Sequence, residues 1–167
     1  MDLESYISIV EKQEELLRFS RFGRKDAWEL GQLMVSRILR EKLVIAVSIR
    51  LANGFVLFQY APDGTTLNNE DWMIRKFNVV RDLEISSLLN VLRFKKRNVT
   101  MESKGLDPKK YAASGGAFPI HVSGTGVVGA VLVSGLPHLM DHDFLIESIS
   151  SFLKVTDVPR IPADADI

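Results

Sequence analysis

Two glycine-centred reversals constrain this chain more than any other feature. Asn53-Gly54 separates the β-branched, apolar run Val44–Leu51 from Phe55–Tyr60, and Gly124-Thr125-Gly126 separates Phe118–Ser123 from Val127–Ser134. Residues that tolerate positive φ, set between two strand-forming runs, make hairpins. Hairpin neighbours run antiparallel, so the pattern argues against a parallel, Rossmann-type sheet. Val127–Ser134 carries valine, leucine or alanine on both pleat faces, which predicts a strand covered on each side.

The covering elements are helices. Leu3, Tyr6, Ile7, Ile9 and Val10 among charges predict an amphipathic helix over residues 2–14, followed by a short strand at Leu16–Ser20. Asp26, with Glu29 three residues on, predicts a helix N-cap, and Ala27, Leu30, Met34, Ile38 and Leu39 give a buried stripe ending near Lys42. Asn68 or Asn69 is the expected cap of a helix through Trp72, Ile74, Phe77 and Val80. A further helix is expected over Ser86–Lys96, a short turn from Asp107-Pro108 to Tyr111, and a last helix from Asp141 or a neighbour with Phe144, Leu145, Ile149 and Phe152 inward. The sum is an α/β (α+β) fold, helices on both faces of an antiparallel sheet of roughly five strands. Residues 1–158 form one domain, and Pro159–Ile167, with two prolines and little to bury, is expected as a flexible tail.

Composition removes several function classes. With no cysteine there is no thiol nucleophile, cysteine-bound zinc, iron–sulfur cluster or thiolate-ligated haem, and a reducing compartment is expected. Lysine plus arginine total 21 and aspartate plus glutamate 21, so no net field draws nucleic acid or an anionic membrane. No apolar run approaches the ~20 residues of a membrane span. The acidic start, Met1-Asp-Leu-Glu, is unlike a secretory signal, so a soluble, cytoplasmic protein is expected.

The stretch from Tyr111 to His142 concentrates the residues suited to holding a small molecule: the Gly115-Gly116 pair, whose amides suit an anion, and a polar corner with Asp141 and His142. Trp72 with Arg75 and Lys76 suggests an anion clamp beside an indole face. Its bland alternative is a solvated helix face with Arg75 paired to Asp71 and Trp72 in the core. Gly124-Thr-Gly126-Val-Val-Gly129 matches the dinucleotide fingerprint letter for letter. A strand follows it where that motif needs a helix, so it reads as a turn. His138 and His142 have the spacing of a helical metal pair, but Pro137 adjoins them and no third ligand is apparent; no metal is assigned. Phe94-Lys95-Lys96-Arg97 reads as a solvated helix end. Neither Ser114 nor Ser134 sits in a nucleophile elbow, and no catalytic constellation occurs.

In this order the residues resemble the GlcG/HbpS-like group, also called the haem-degrading-domain family, in its short, uncharacterised bacterial and fungal branch. The carrying residues are Asp26-Ala-Trp-Glu-Leu-Gly31, Trp72 with Arg75-Lys76, Tyr111-Ala with Gly115-Gly116-Ala117, and Ser134-Gly-Leu-Pro with Asp141-His142. Ser86-Ser-Leu-Leu-Asn departs from the family pattern, lacking the aromatic and glycine often seen after the paired serines. The resemblance implies a profilin-like three-layer α/β/α fold and a homo-oligomer. Haem enters by this resemblance only, with His121, His138, His142, Met140 and Tyr111 as candidate axial ligands.

Three functions are weighed. The first is a binding protein for a small anionic or planar ligand, with Trp72, Arg75, Lys76, Tyr111, Gly115, Gly116, Asp141 and His142 as contact candidates. The second is an interaction module, chaperone-associated, presenting protein-binding surfaces. The third is an enzyme using His142 as acid or base while Arg75 or Lys76 orients an anion.

Overall fold

The structure is a computed structural model describing residues 1–167. The elements run α1 (Leu3–Leu16), α2 (Arg24–Glu41), β1 (Ala46–Leu51), β2 (Val56–Tyr60), α3 (Leu67–Leu83), α4 (Ser87–Arg97), β3 (Ala117–Val122), β4 (Gly126–Ser134) and α5 (His138–Leu153). The four strands make one antiparallel sheet in the order β2-β1-β4-β3. Both sequence-predicted hairpins form; Gly124 and Thr125 of the GxGxxG segment lie in the turn between β3 and β4, and Gly126–Gly129 already pair as the start of β4.

Alternation along β1 sorts the two faces of the sheet. Val47 and Ile49 point to one side, where Val131 and Val133 of β4 and Phe118 and Ile120 of β3 join Leu30, Met34 and Ile38 of α2 and Phe144, Leu145 and Ile149 of α5. Ala46 points to the other, where Ala117, Ala130 and Leu132 meet Met73, Phe77 and Val80 of α3. Both faces are therefore covered, giving three layers, α/β/α. The alanines on the second face leave room for α3 to lie close, while larger side chains fill the first. A smaller cluster, Tyr6, Ile7 and Val10 against Leu88, Leu89 and Leu92, fastens α1 to α4.

Several expectations are corrected. The fifth strand is reduced to a single bridge: Phe19 N–H donates to His121 O at 2.8 Å and Phe19 O accepts from Ser123 N–H at 2.9 Å. No ladder develops because Gly23 already caps α2 four residues later. Asp26 is the third residue of that helix, and its carboxylate reaches back to accept from Gly23 N–H at 2.7 Å. Thr66 caps α3, with Asn69 returning a bond to Thr66 N–H. Helix α5 starts at His138, a turn before the expected Asp141; Pro137, with φ fixed near the helical value, stands at its N-cap. Asp141 instead accepts from Leu136 N–H at 2.9 Å, tying the helix to the turn that leaves β4. A 3-10 turn at Glu102–Lys104 had no periodic signature to announce it.

The segment after Val158, expected as a loose tail, makes specific contacts. Gln13 Nε2 donates to Pro159 O at 2.7 Å, Arg160 pairs with Asp143, and Ile161, Ala165 and Ile167 pack against the α1–α4 cluster.

Candidate functional site

The chain turn between β4 and α5, the loop entering β3 and the middle of α3 meet at one buried corner. Lys76 projects from α3 into it and donates to Asp141 Oδ2 at 2.9 Å and to Val133 O at 2.9 Å. Burial pushes the Lys76 ammonium below its ordinary pKa and the Asp141 carboxyl above its own, while their mutual attraction opposes both shifts. The second hydrogen bond on each partner, from Lys76 to Val133 and from Leu136 to Asp141, offsets part of that desolvation.

Gly116 makes the corner possible. Its φ is +116°, and a Cβ placed there would lie 2.6 Å from Lys76 Nζ and 2.7 Å from Val133 O. Gly115 is as tightly held: an added Cβ would stand 2.6 Å from the carbonyl of His138. The glycine pair is thus fully used by packing, and its amides are not an open anion nest. Gly115 N–H lies 3.5 Å from His138 Nδ1.

His142 sits beside this corner but turns away from it. Its Nε2 is 2.8 Å from Gln13 Oε1, and the Gln13 amide nitrogen is committed to Pro159 O. That assignment makes Gln13 Oε1 the acceptor and places the imidazole proton on Nε2. Nδ1 is then a bare, buried acceptor with no partner. Complete burial pulls the pKa of His142 down to about 3, so the ring is neutral at physiological pH. A neutral imidazole locked to an amide inside the core is poorly placed for acid–base work on an external substrate.

The other contact candidates lie on the outer side of α3. Arg75 does not pair with Asp71: Nε and Nη2 both donate to Pro108 O, at 3.1 and 2.7 Å, and the guanidinium lies 4.4 Å from the centre of the Trp72 ring. Trp72 is partly exposed and supports that cation on its face rather than filling the core. Tyr111 donates its hydroxyl to Asp82 at 2.6 Å. That bond to a carboxylate pushes the phenol pKa up, and Arg81, bonded to the same acid, holds Asp82 below its usual value.

Seven of the eight candidates divide between two places, and Trp72 serves as the face on which Arg75 lies. Lys76, Asp141, Gly115, Gly116 and His142 belong to the closed corner, and the imidazole and the cation expected to share a site face different partners. Arg75 and Tyr111 instead border an open groove of about 420 Å³ between α3, α4 and the loop from residue 99 to 113. Its apolar wall is Val91, Phe94, Val99 and Met101, and it carries two cations, Arg75 and Lys95, against one carboxylate, Glu102. Sequence reasoning missed most of this wall. The signal was Val91, Phe94 and Lys95 at helical spacing, the last two hidden inside Phe94–Arg97, which reads as a solvated helix end. Ser86 and Ser87, in the segment that departs from the family pattern, are structural: Ser86 caps α4 and Ser87 Oγ accepts from Ala117 N–H at 3.1 Å. No three His, Asp or Glu side chains are placed to hold a metal ion, and no helix is long and apolar enough to cross a membrane.

Comparison with known proteins places this geometry in a lineage. Residues 22–150 match the model of the family described as "Haem degrading protein HbpS-like". A UPF0303 protein of Serratia proteamaculans (strain 568) is 42% identical over 157 residues, covering 93% of this chain and 97% of its own. Among solved structures, the Ybr137w protein superposes with a TM-score of 0.81 at 28% identity, covering 93% of this chain and 90% of its own. A PduOC:haem complex superposes with a TM-score of 0.65 at 17% identity over 78% of this chain and 94% of its own, a likeness of fold.

Proposed function

Given that the chain belongs to the family of haem degrading proteins like HbpS, we propose that it is a binding protein holding a planar, anion-bearing small molecule in the groove between α3, α4 and the 99–113 loop. The observation that carries this reading is the excess of cations on an apolar wall: Arg75 and Lys95 flank Val91, Phe94 and Met101. Arg75 spends its bonds on a backbone carbonyl rather than on a carboxylate, so its charge is left to a ligand. A flat apolar body against the wall and a carboxylate at the guanidinium would use both features.

Haem is the ligand that the family description and the PduOC complex bring forward. The groove suits the body and propionates of a tetrapyrrole but lacks an imidazole for its iron. His121 lies on β3, and His138 and His142 lie at the α5 corner, so none borders the groove. Of its remaining donors, Met101 already accepts from Asn90 at 3.8 Å, and the Tyr111 phenol is held protonated by Asp82. The residues present do not fit a histidine-ligated haem; they fit a planar anion held without a bond to metal.

Metal-free protoporphyrin IX distinguishes these cases. Ligand binding to the native state raises the melting temperature by mass action. Protoporphyrin IX and haemin are expected to raise it alike in the wild type and much less in Arg75→Ala. No shift with either compound, or equal shifts in wild type and variant, would overturn the proposal.

A second reading concerns assembly. Strand β2 is a sheet edge without proline or charge, and Trp28, Phe55 and Val56 beside it are 57%, 56% and 40% exposed. Unprotected edges of this kind invite pairing with another chain. We infer that two copies meet through β2 and bury those three side chains, the first step of a homo-oligomer.

A further inference from the structure

Met101 and Ala112 are 6% and 0% exposed, yet no residue from 102 to 111 is buried. This stretch is a strap, held from outside by one stripe of α3. Arg75 Nε and Nη2 donate to Pro108 O at 3.1 and 2.7 Å, and Asn78 Nδ2 donates to Lys110 O at 2.8 Å. Asp82 accepts from the Tyr111 hydroxyl at 2.6 Å. Positions 75, 78 and 82 are three and four apart, so they share one helix face. A single backbone bond joins them, from Ala112 N–H to Arg75 O at 3.2 Å. The other hydrogen bonds of the strap close local turns within residues 100–111, and they stay intact if it leaves α3. A segment with no buried side chain, fastened by a few polar bonds, belongs to the low-stability end of a fold.

Arg75 is also the cation that the groove offers to an anion, and the two uses collide. The edge formed by Nε and Nη2 can take a carboxylate in paired bonds, and here both nitrogens point at one strap carbonyl. A carboxylate brings two oxygens and a charge to that edge, so it is the stronger acceptor. The Pro108 carbonyl holds the edge only while the strap stays docked.

We propose that the Pro108 carbonyl is an autoinhibitory occupant of Arg75. With the strap docked the groove binds its anion weakly, and release of residues 102–111 from α3 exposes the full-affinity site. This inference rests on the groove being the binding site. The bonds made by Asn78 and Tyr111 set how often the strap is released, and apparent affinity scales with the fraction of molecules in the competent state. Asn78 does not border the groove, so its influence on binding runs through the strap alone. Ligand anion and docked strap exclude each other at one guanidinium edge.

The test uses the full chain with protoporphyrin IX as the probe, titrated by fluorescence, and amide hydrogen exchange read by NMR. Asn78→Ala is expected to tighten protoporphyrin IX binding about fivefold, one hydrogen bond converted into population of the released strap. Tyr111→Phe keeps the ring that borders the groove and loses only the bond to Asp82; it is expected to tighten binding as well. In the wild type the probe is expected to speed exchange of the Ala112 amide, because a carboxylate on Arg75 displaces Pro108 and loosens the strap. A strap that merely walls the groove gives the opposite results. Binding that is unchanged or weaker in Asn78→Ala, or Ala112 exchange slowed by the probe, overturns the autoinhibition and leaves the groove as a site. Absence of binding in the wild type and in both variants overturns the groove itself, and the autoinhibition with it.

Discussion

Lys76 Nζ and Asp141 Oδ2 lie 2.9 Å apart with only 3% and 2% of their side chains exposed, joining the middle of α3 to the first turn of α5 across the end of the sheet. It is the most deeply buried ion pair in the chain, and the consequences of disturbing it are specific.

Lys76→Met leaves the Asp141 carboxylate buried without its counter-charge. Breaking such a pair from one side costs about 3–5 kcal/mol. The expected loss in urea unfolding is of that size. Lys76→Met combined with Asp141→Asn, which removes the orphaned charge and keeps an acceptor for Leu136 N–H, is expected to recover most of it. A double variant no more stable than the single one would show that the pair's charge is not the source of the loss.

Gly116→Ala is expected to cost about 3 kcal/mol from left-handed strain and overpacking together. The clash with Val133 O involves backbone in the sheet, so it cannot be relieved by a rotamer change. Gly124→Ala is the control: its φ is +79°, but nothing lies within 4 Å of the added carbon, so only the strain remains. Equal losses at the two sites in thermal unfolding would refute the close-packed corner.

His142 gives a pH signature with a definite sign. Its folded-state pKa, about 3, lies below the ordinary imidazole value of 6.5. Its contribution to stability is therefore fully present above pH 6.5 and is lost as pH falls toward 3, because the unfolded chain takes up a proton that the folded one refuses. The slope from this group reaches about 1.4 kcal/mol per pH unit. Between pH 6.5 and 5, His142→Asn is expected to show a shallower decline in unfolding free energy than the wild type. His138 and His121 are also lowered by burial and contribute the same sign in both proteins, so the difference isolates His142. Parallel declines would remove His142 from the account.

The β2 edge is tested by mass in solution. Val56→Lys places a charge on the exposed edge strand, a device that discourages edge pairing. Light scattering is expected to show an assembly of copies for the wild type and a smaller species for Val56→Lys, with unchanged melting of the subunit fold. A monomeric wild type, or a variant of unchanged mass, rules out pairing through β2.

The layered fold was legible because it rests on local rules. Asn53-Gly54 and Gly124-Thr125-Gly126 can only reverse the chain, and Leu30, Met34 and Ile38 recur at the helical period whatever they pack against. The helix caps were legible in type and misplaced in position. Asp26 and Asn69 each serve from the third residue of a helix, since a carboxylate or amide there reaches the cap residue's free N–H as well as it could serve from the cap itself. The fifth strand failed because a strand needs neighbours along several residues, and Phe19 has room for one.

The residues around the candidate sites were named in part, and their partners were not. Sequence alone determined the antiparallel sheet, the order of helices and strands, and the chemistry available to each residue, because these depend on spacing within a few turns of chain. Tertiary structure decided how that chemistry is used. It turned Lys76 inward to Asp141 and its neighbour Arg75 outward to Pro108, and it gave His142 to Gln13 across a separation of 129 residues. Adjacent positions on a helix face directions about 100° apart, and which of them meets an acid, a carbonyl or an open groove depends on elements that the helix touches only once the chain has folded.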